Sequence, residues 1–507
     1  MKAVLAIDQG TTSTRSLLID ERATVRSTAQ IDLKQYYPAD GWVEHDPEAI
    51  WRDVVATARA ALDEAHRTGL DVTAIGIANQ RETCVLWDRE SAQPIHPAIV
   101  WQDRRGADLC SRFIADGLEP VVTSRTGLLL DSYFTASKLA WLLETIPGAR
   151  DRAEKGQLAF GTIDCFLLWR LTAGKVHATD ATNASRTLLF DIAKMAWCPD
   201  LCRMFGIPMQ ILPEVRENDC LFGTSDKNIL GVSLPIAGMV GDQQAALIGQ
   251  GCLNRGGAKV TLGTGGFAML NTGGQICRSK HRMLSTVACY SNGSVSYAIE
   301  GAFFVAGAAV RWTRDRLGLV ATAAETESMA RSLPDNGGVY LVPAFVGLGA
   351  PHWNPHVRAM LTGMTFATGP EHIVRAALEC VAYQCADLLN AMALDSAVQP
   401  DELKIDGGMV ANDWLCQFLA DILDLTIIRP ANIETTALGA AFLAGSATGV
   451  WTALPEAVSR VTPDRRFSPT LPAVQRERFI AGWRGAVGQA LNASSPERPS
   501  SQQSQDV

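Results

Sequence analysis

The stretch Val4–Asp20, VLAIDQGTTSTRSLLID, decides how the chain reads. Two short apolar runs, Val4–Ile7 and Ser16–Ile19, flank Gly10-Thr11-Thr12-Ser13-Thr14, which predicts two strands joined by a tight turn. Gly10 permits a backbone approach that a Cβ would block. The hydroxyls and N–H groups after it can cradle an anion such as a phosphate. Asp8, at the end of the first strand, is placed to hold a divalent cation beside that phosphate. An ordinary hairpin with a polar turn would show the same residues. What favours the phosphate is an echo at Lys259–Leu270, KVTLGTGGFAML, again strand, glycine-rich turn and strand. Two such hairpins imply two related half-domains, each offering a loop to one nucleotide. Neither is a Walker loop, since Gly174-Lys175 is followed by Val176, and GxGxxG fails at Ala268.

The chain has 507 residues, 47% hydrophobic and 19% charged, as expected of a globular protein of two to four domains. A net charge of −8 argues against nucleic acid or an anionic membrane as the main partner. The 12 cysteines include no CxxC pair; the closest spacings are Cys198/Cys202 and Cys380/Cys385, so reduced thiols in a cytoplasm are expected. MKAVLAIDQG does not read as a signal peptide, and the longest apolar run, Ala302–Val310, is far short of the ~20 residues of a membrane span.

Further along, GWVEHDP (41–47) opens a helix, capped by Asp46, that ends near Gly69. Ile31–Gln35 is expected to continue the first sheet. The Val72–Ala78 strand runs into Asn79-Gln80-Arg81-Glu82-Thr83, and the Ala98–Trp101 strand into Gln102-Asp103-Arg104-Arg105. In open α/β sheets ligands gather at such carboxyl ends; a solvated turn and a core tryptophan are the alternatives. Asp131-Ser132-Tyr133-Phe134 precedes a helix to about Glu144, Asp164 is read as the cap of a helix Cys165–Leu171, and Thr182–Thr187 reads as a polar loop. Ile236–Val240 leads into Gly241-Asp242-Gln243-Gln244, which either aims one acid into a cleft or merely caps a helix. The second half predicts strands at 258–262, 266–270, 284–290 and 295–299, with helices at 301–316 and 370–393. A third glycine-rich strand end, Asp406–Asp413, opens a helix suited to a nucleotide's ribose, adenine or α-phosphate. From about Asn492 the chain reads as a disordered tail.

Together AIDQGTTSTR (6–15), GWVEHDP (41–47), NQRET (79–83), VWQDRR (100–105), TNASRT (182–187), GDQQAAL (241–247), GTGGF (263–267), PAFVGLGAPHW (343–353) and DGGMVAN (406–412) resemble the FGGY carbohydrate kinases over about residues 3 to 485. The resemblance implies an α/β fold of two actin-like (ribonuclease H-like) domains with a central cleft. It places an N-terminal domain at 1–250, with the polyol site and first phosphate loop, and a nucleotide-binding domain at 251–465; a C-terminal helix and tail occupy 466–507. It implies ATP-dependent phosphorylation of glycerol, with Asp242 as general base. Arg81, Glu82, Tyr133, Asp242 and Gln243 would bind the polyol between Trp101 and Phe267. Thr11, Thr12, Ser13, Arg15, Thr264, Gly307, Arg311, Gly408 and Asn412 would bind the nucleotide, and Asp8 and Asp242 the Mg2+. It also implies a homodimer or homotetramer. Another small polyol or a ketose as acceptor, and a non-catalytic actin-like regulator, are the alternatives.

The sequence departs from the family pattern in places. Arg311 stands where Gln is frequent, Ser132 where DPYF is commoner, and Gly106 where Thr is usual. Ser132 is expected to leave the loop carrying Tyr133 less rigid, and Gly266, which replaces a residue with a side chain beside Phe267, to loosen the pocket wall. The segment TSDKNILGVSLPI (224–236) has one Lys, one Gly and no His, which argues against the sugar-bisphosphate and phosphohistidine regulation of some members.

Overall fold

The computed structural model describes residues 1–493. The opening hairpin forms with longer strands than expected: β1 (Lys2–Gln9) and β2 (Ser13–Asp20) pair antiparallel from Ala3↔Asp20 to Gln9↔Thr14. The next strand is β3 (Val25–Asp32), earlier than the expected Ile31–Gln35. It is an edge strand with one face in water, so its sequence lacks an apolar run. With β4 (Asp71–Asn79), β5 (Gly223–Thr224) and β6 (Pro235–Gly241) the sheet has the order β5-β6-β4-β1-β2-β3, with β1, β4 and β6 parallel.

The second sheet comprises β7 (Ala258–Leu262), β8 (Gly266–Gly273), β9 (Leu284–Ser291), β10 (Ser294–Phe303), β11 (Glu402–Asp406), β12 (Thr426–Pro430) and β13 (Pro463–Phe467). Its order is β9-β10-β8-β7-β11-β12-β13, with β7, β11 and β12 parallel. Each sheet is therefore built on an antiparallel hairpin whose first strand runs parallel to the two beyond it. This is the two-domain actin-like (ribonuclease H-like) α/β architecture that the resemblance implied, and the two hairpins are its two related halves. β13 crosses residue 465, where the C-terminal half was expected to end.

The helices that position the site are α1 (Pro47–Thr68), α2 (Asp242–Gly249), α3 (Gly307–Asp315), α4 (Pro370–Ser396), α5 (Asp413–Leu423) and α6 (Thr435–Ala447). The unbroken apolar run of β1 follows from burial on both faces. Leu5 and Ile7 cluster with Ile50, Val54 and Ala58 of α1, whereas Val4 and Ala6 cluster with Ala437, Ala441 and Phe442 of α6. Helix α6, from the second half of the chain, thus covers the first sheet and ties the halves together. It lies so close to α2 that a Cβ on Gly249 would overlap the Thr435 carbonyl, and one on Gly439 the Ala245 carbonyl.

Other boundaries move. Gly301–Phe303 is strand rather than helix, because it pairs with Gly266–Ala268, and α3 starts only at Gly307. Asp164 lies inside the Ile163–Leu171 helix, whose cap position is Thr162. Thr182–Thr187 is not a plain loop: Ala181–Ala184 is a helical turn capped by the buried Asp180. Asn492 and Ala493 close the Ala473–Ala493 helix; the rest of the expected tail lies outside the described residues. No helix among the described residues is long and apolar enough to cross a membrane, and all twelve cysteines are free.

Candidate active site

Three strand ends of the first sheet converge. β4 ends in Asn79, and the next residues make a tight turn: Thr83 N donates to Arg81 O at 2.7 Å, with Glu82 at φ +62°. A non-glycine residue in that region is strained, and such strain persists where surroundings over-determine it. Here the surroundings are ionic. Arg81 donates to both oxygens of Glu300, at 2.7 and 2.9 Å, and to Gln244 at 3.2 Å, and its Nε lies 3.1 Å from Asp242 Oδ1. Glu82 Oε1 accepts from Arg186 Nε at 2.6 Å.

β6 ends in Gly241, the N-cap of α2, so Asp242 is the first helical residue rather than its cap. Gly241 N donates to the Thr182 hydroxyl at 2.9 Å, and that hydroxyl donates to Asp180. Gln243 Oε1 accepts from Lys259 Nζ, which also bonds the Thr261 hydroxyl at 2.9 Å. Phe267 sits opposite Thr261 in the ladder, so both face the same side, toward α2.

Tyr133 and Trp101 meet edge to face at 5.5 Å, and Trp101 Nε1 donates to the Thr11 hydroxyl at 2.9 Å. Thr11 is therefore joined to the expected polyol wall. Lys138, fully buried, donates to the carbonyls of Ser132, Tyr133 and Phe134 at 2.6, 2.6 and 3.0 Å. Burial pulls its pKa down to about 8, against the nearby Glu82, Cys84, Asp103 and Asp131. The loop that Ser132 was expected to leave less rigid is held by this ammonium at three consecutive carbonyls. Gly266 likewise leaves no slack, because the Phe303 ring occupies the space a Cβ would need. At Gly106 that space is taken by Ser137.

The N–H groups of Thr11 and Thr12 donate to no group among the described residues, which suits an incoming anion. Asp8 Oδ2 accepts from Arg15 at 2.6 Å, and Arg15 also reaches Glu434 at 2.5 Å. Burial drives the Asp8 carboxyl up to about 6; Arg15 opposes this, and the charges of Asp242 and Glu434 add to it. Three carboxylates, Asp8, Asp242 and Glu434, act on one another here against the Arg15 guanidinium, a donor set of oxygen ligands such as a divalent cation takes.

In the second half the turn Gly263–Gly265 meets the start of α3. Ala306 N and Ala308 N donate to Thr264 O at 2.8 and 3.1 Å, and Gly307 N donates to Gly263 O at 3.0 Å. A cavity of about 390 Å³ opens here, and Thr264, Gly307, Arg311, Gly408 and Asn412 all line it. Asn412 is the N-cap of α5, its Oδ1 accepting from Leu415 N. Thr11, Thr12, Ser13 and Arg15 are not among the residues lining that cavity; they stand on the other half.

Sequence reasoning missed Glu300, Arg186, Lys259, Glu434 and Lys138. Glu300 and Lys259 did carry a signal. Each is a lone charge within an apolar strand, and a charge buried there needs a partner.

Residues 3–249 match the N-terminal domain, and residues 258–448 the C-terminal domain, of the FGGY family of carbohydrate kinases. Glycerol kinase of Rhodospirillum centenum is 56% identical over 484 residues, covering 96% of this chain and 97% of that protein. The crystal structure of Plasmodium falciparum glycerol kinase with ADP is 34% identical, with a TM-score of 0.93 over 97% of this chain and 98% of that one. The xylulose kinase of Rhodospirillum rubrum shares the fold, with a TM-score of 0.87 at 21% identity over 97% of this chain and all of that one. The chain belongs to the FGGY family of carbohydrate kinases.

Proposed function

We propose that the protein transfers the γ-phosphoryl group of ATP to glycerol, giving sn-glycerol 3-phosphate. The observation that carries this reading is the convergence of Arg81, Asp242 and Gln243, each fixed by a charged or amide partner, beside the Trp101–Tyr133 edge. A three-carbon polyol offers hydroxyls to such polar groups and carbon to such an edge. The likeness to glycerol kinases across nearly the whole chain supports the same acceptor. No feature of the site favours a larger polyol, a ketose or a non-catalytic role.

Phosphoryl transfer depends mainly on in-line positioning and charge stabilisation. Asp242 takes the proton of the attacking primary hydroxyl as its oxygen bonds to the γ-phosphorus and the bond from that phosphorus to the β,γ-bridging oxygen breaks, releasing ADP. Arg81 lies against the same carboxylate and orients it. Gln243 and Glu82 bind the remaining hydroxyls. Thr11, Thr12 and Ser13 receive the phosphates with hydroxyls and free N–H groups, while the 390 Å³ cavity receives the nucleoside. Asp8, with Asp242 nearby, would hold Mg2+, which when bound neutralises charge on the phosphate oxygens. Closure of the halves would exclude water, the competing acceptor.

The test is ADP release by purified protein with ATP and Mg2+, across glycerol, dihydroxyacetone, erythritol, xylulose and no acceptor. Turnover with glycerol far above the others is expected. Preference for another acceptor overturns the glycerol assignment, and no acceptor-dependent turnover overturns the kinase reading.

A further inference from the structure

The pair Arg81–Glu82 is not held by its own half alone. Glu300, on β10 of the second half, grips Arg81 at two points, 2.7 and 2.9 Å. Glu300 also accepts from Arg186 at 3.2 Å, Arg186 donates to Glu82 at 2.6 Å, and Glu82 lies 4.0 Å from Arg81. These four side chains form a closed ring of alternating charge, none more than 2% exposed. Three corners come from the first half; Asp242 of that half meets Arg81 only at Nε, whereas Glu300 is the corner that accepts from both arginines.

The ring also decides what is left for an acceptor. A guanidinium has five N–H groups. Three of those on Arg81 donate to Glu300 and Gln244, and Nε faces Asp242. One Nη2 hydrogen remains, and Glu82 Oε2 accepts from no group among the described residues. A two-point grip fixes the guanidinium plane, and therefore the direction of that last N–H.

We propose that Glu300 is a positioning residue that sets acceptor specificity: by locking Arg81 directly and Glu82 through Arg186, it makes the polyol site depend on the docked second half. This rests on the reading that Arg81 and Glu82 bind the acceptor. Burial by itself would raise the Glu300 pKa, but the guanidiniums of Arg186 and Arg81 outweigh it and hold the pKa at about 2, so Glu300 remains charged under assay conditions; at Glu82 burial prevails and pushes the carboxyl up, against the same two guanidiniums. Lys259, reaching from β7 to Gln243, is a second grip of the same kind.

Glu300→Gln and Glu300→Asp are compared with wild type for the KM of glycerol and of ATP, for discrimination between glycerol and 1,3-propanediol, and for melting temperature. Glu300→Asp keeps the charge but lacks one methylene of reach, and serves if Glu300→Gln does not fold. The expected result is a glycerol KM raised about 10-fold or more, the size of losing one hydrogen bond. The ATP KM should stay within about twofold, and discrimination against 1,3-propanediol should fall about as much as glycerol KM rises. A lower melting temperature with unchanged glycerol KM and discrimination would mean a purely structural ring and overturn the proposal. If wild type prefers another acceptor, the same comparison is made with that acceptor; if it uses none, the functional reading fails and this one with it.

Discussion

Asn79 and Asn183 exchange their side-chain amides, each Nδ2 donating to the other's Oδ1 at 3.0 Å, with both residues fully buried. Asn79 ends the strand that leads to Arg81. Asn183 belongs to the capped turn whose Thr182 hydroxyl holds the Gly241 N–H just ahead of Asp242. One short segment therefore sets two of the strand ends that carry acceptor residues. Asn183→Leu leaves the Asn79 amide short of a partner, which costs about 1–3 kcal/mol. Chemical denaturation should show that loss, and acceptor KM should rise with it.

Asp242→Asn removes the proton acceptor but keeps the shape of the first turn of α2. A drop in kcat of about 10²- to 10⁴-fold is expected, the usual worth of a general base. ADP binding measured by calorimetry should stay near wild type. An unchanged kcat would show that Asp242 is not the base.

Lys138→Met strips three consecutive carbonyls of their donor. A loss on the order of 3 kcal/mol is expected, since each buried acceptor left unpaired carries its own penalty. The loop that bears Tyr133 should loosen as well, so acceptor KM should rise more than ATP KM. Steady-state kinetics beside thermal melting will separate the two effects.

Gly266→Ala forces a methyl into the space held by the Phe303 ring. Overpacking of this kind costs about 1–3 kcal/mol. Gly266→Ala combined with Phe303→Leu should recover much of the melting temperature, because the smaller side chain vacates that space. Losses that simply add in the double variant would mean the two positions are not paired.

Burial pushes the Asp164 carboxyl up to about 7, with the neighbouring Asp180 adding to the shift and the Thr162 and Thr179 hydroxyls opposing it. An unfolded Asp has a pKa of about 3.9. Between about pH 4 and pH 7 the folded chain therefore keeps a proton that the unfolded chain has released, and stability from this group falls as pH rises through that window. Asp164→Asn does not titrate. The melting temperature of wild type relative to Asp164→Asn should decline from pH 5 to pH 7.5; a constant difference would refute the shift.

Features that depend on near neighbours and short spacings are legible in the amino-acid sequence. The hairpin at Gly10, its echo at Gly263–Gly265, the strand ends at Arg81 and Asp242, and the helix opening at Asn412 are all local patterns of period and turn chemistry. The family motifs named the residues that line the cavity on the second half. Boundaries failed where pairing outvoted composition, as at Gly301–Phe303, whose small and aromatic residues suit helix or strand equally until Gly266–Ala268 lies alongside.

Which charges meet is settled by the folded chain alone. Glu300 and Arg81 are 219 residues apart in sequence, and Arg15 and Glu434 are 419 apart. The apolar strand around Glu300 marks it as a charge that needs a partner, but nothing local says which arginine that partner is. The departures at Ser132, Gly106 and Gly266 were ambiguous for the same reason. Whether a missing side chain leaves slack depends on what fills the space, and here Lys138, Ser137 and Phe303 secure or fill those places. Packing excludes voids and buried charge demands a partner; both are satisfied by residues that only the folded chain brings together.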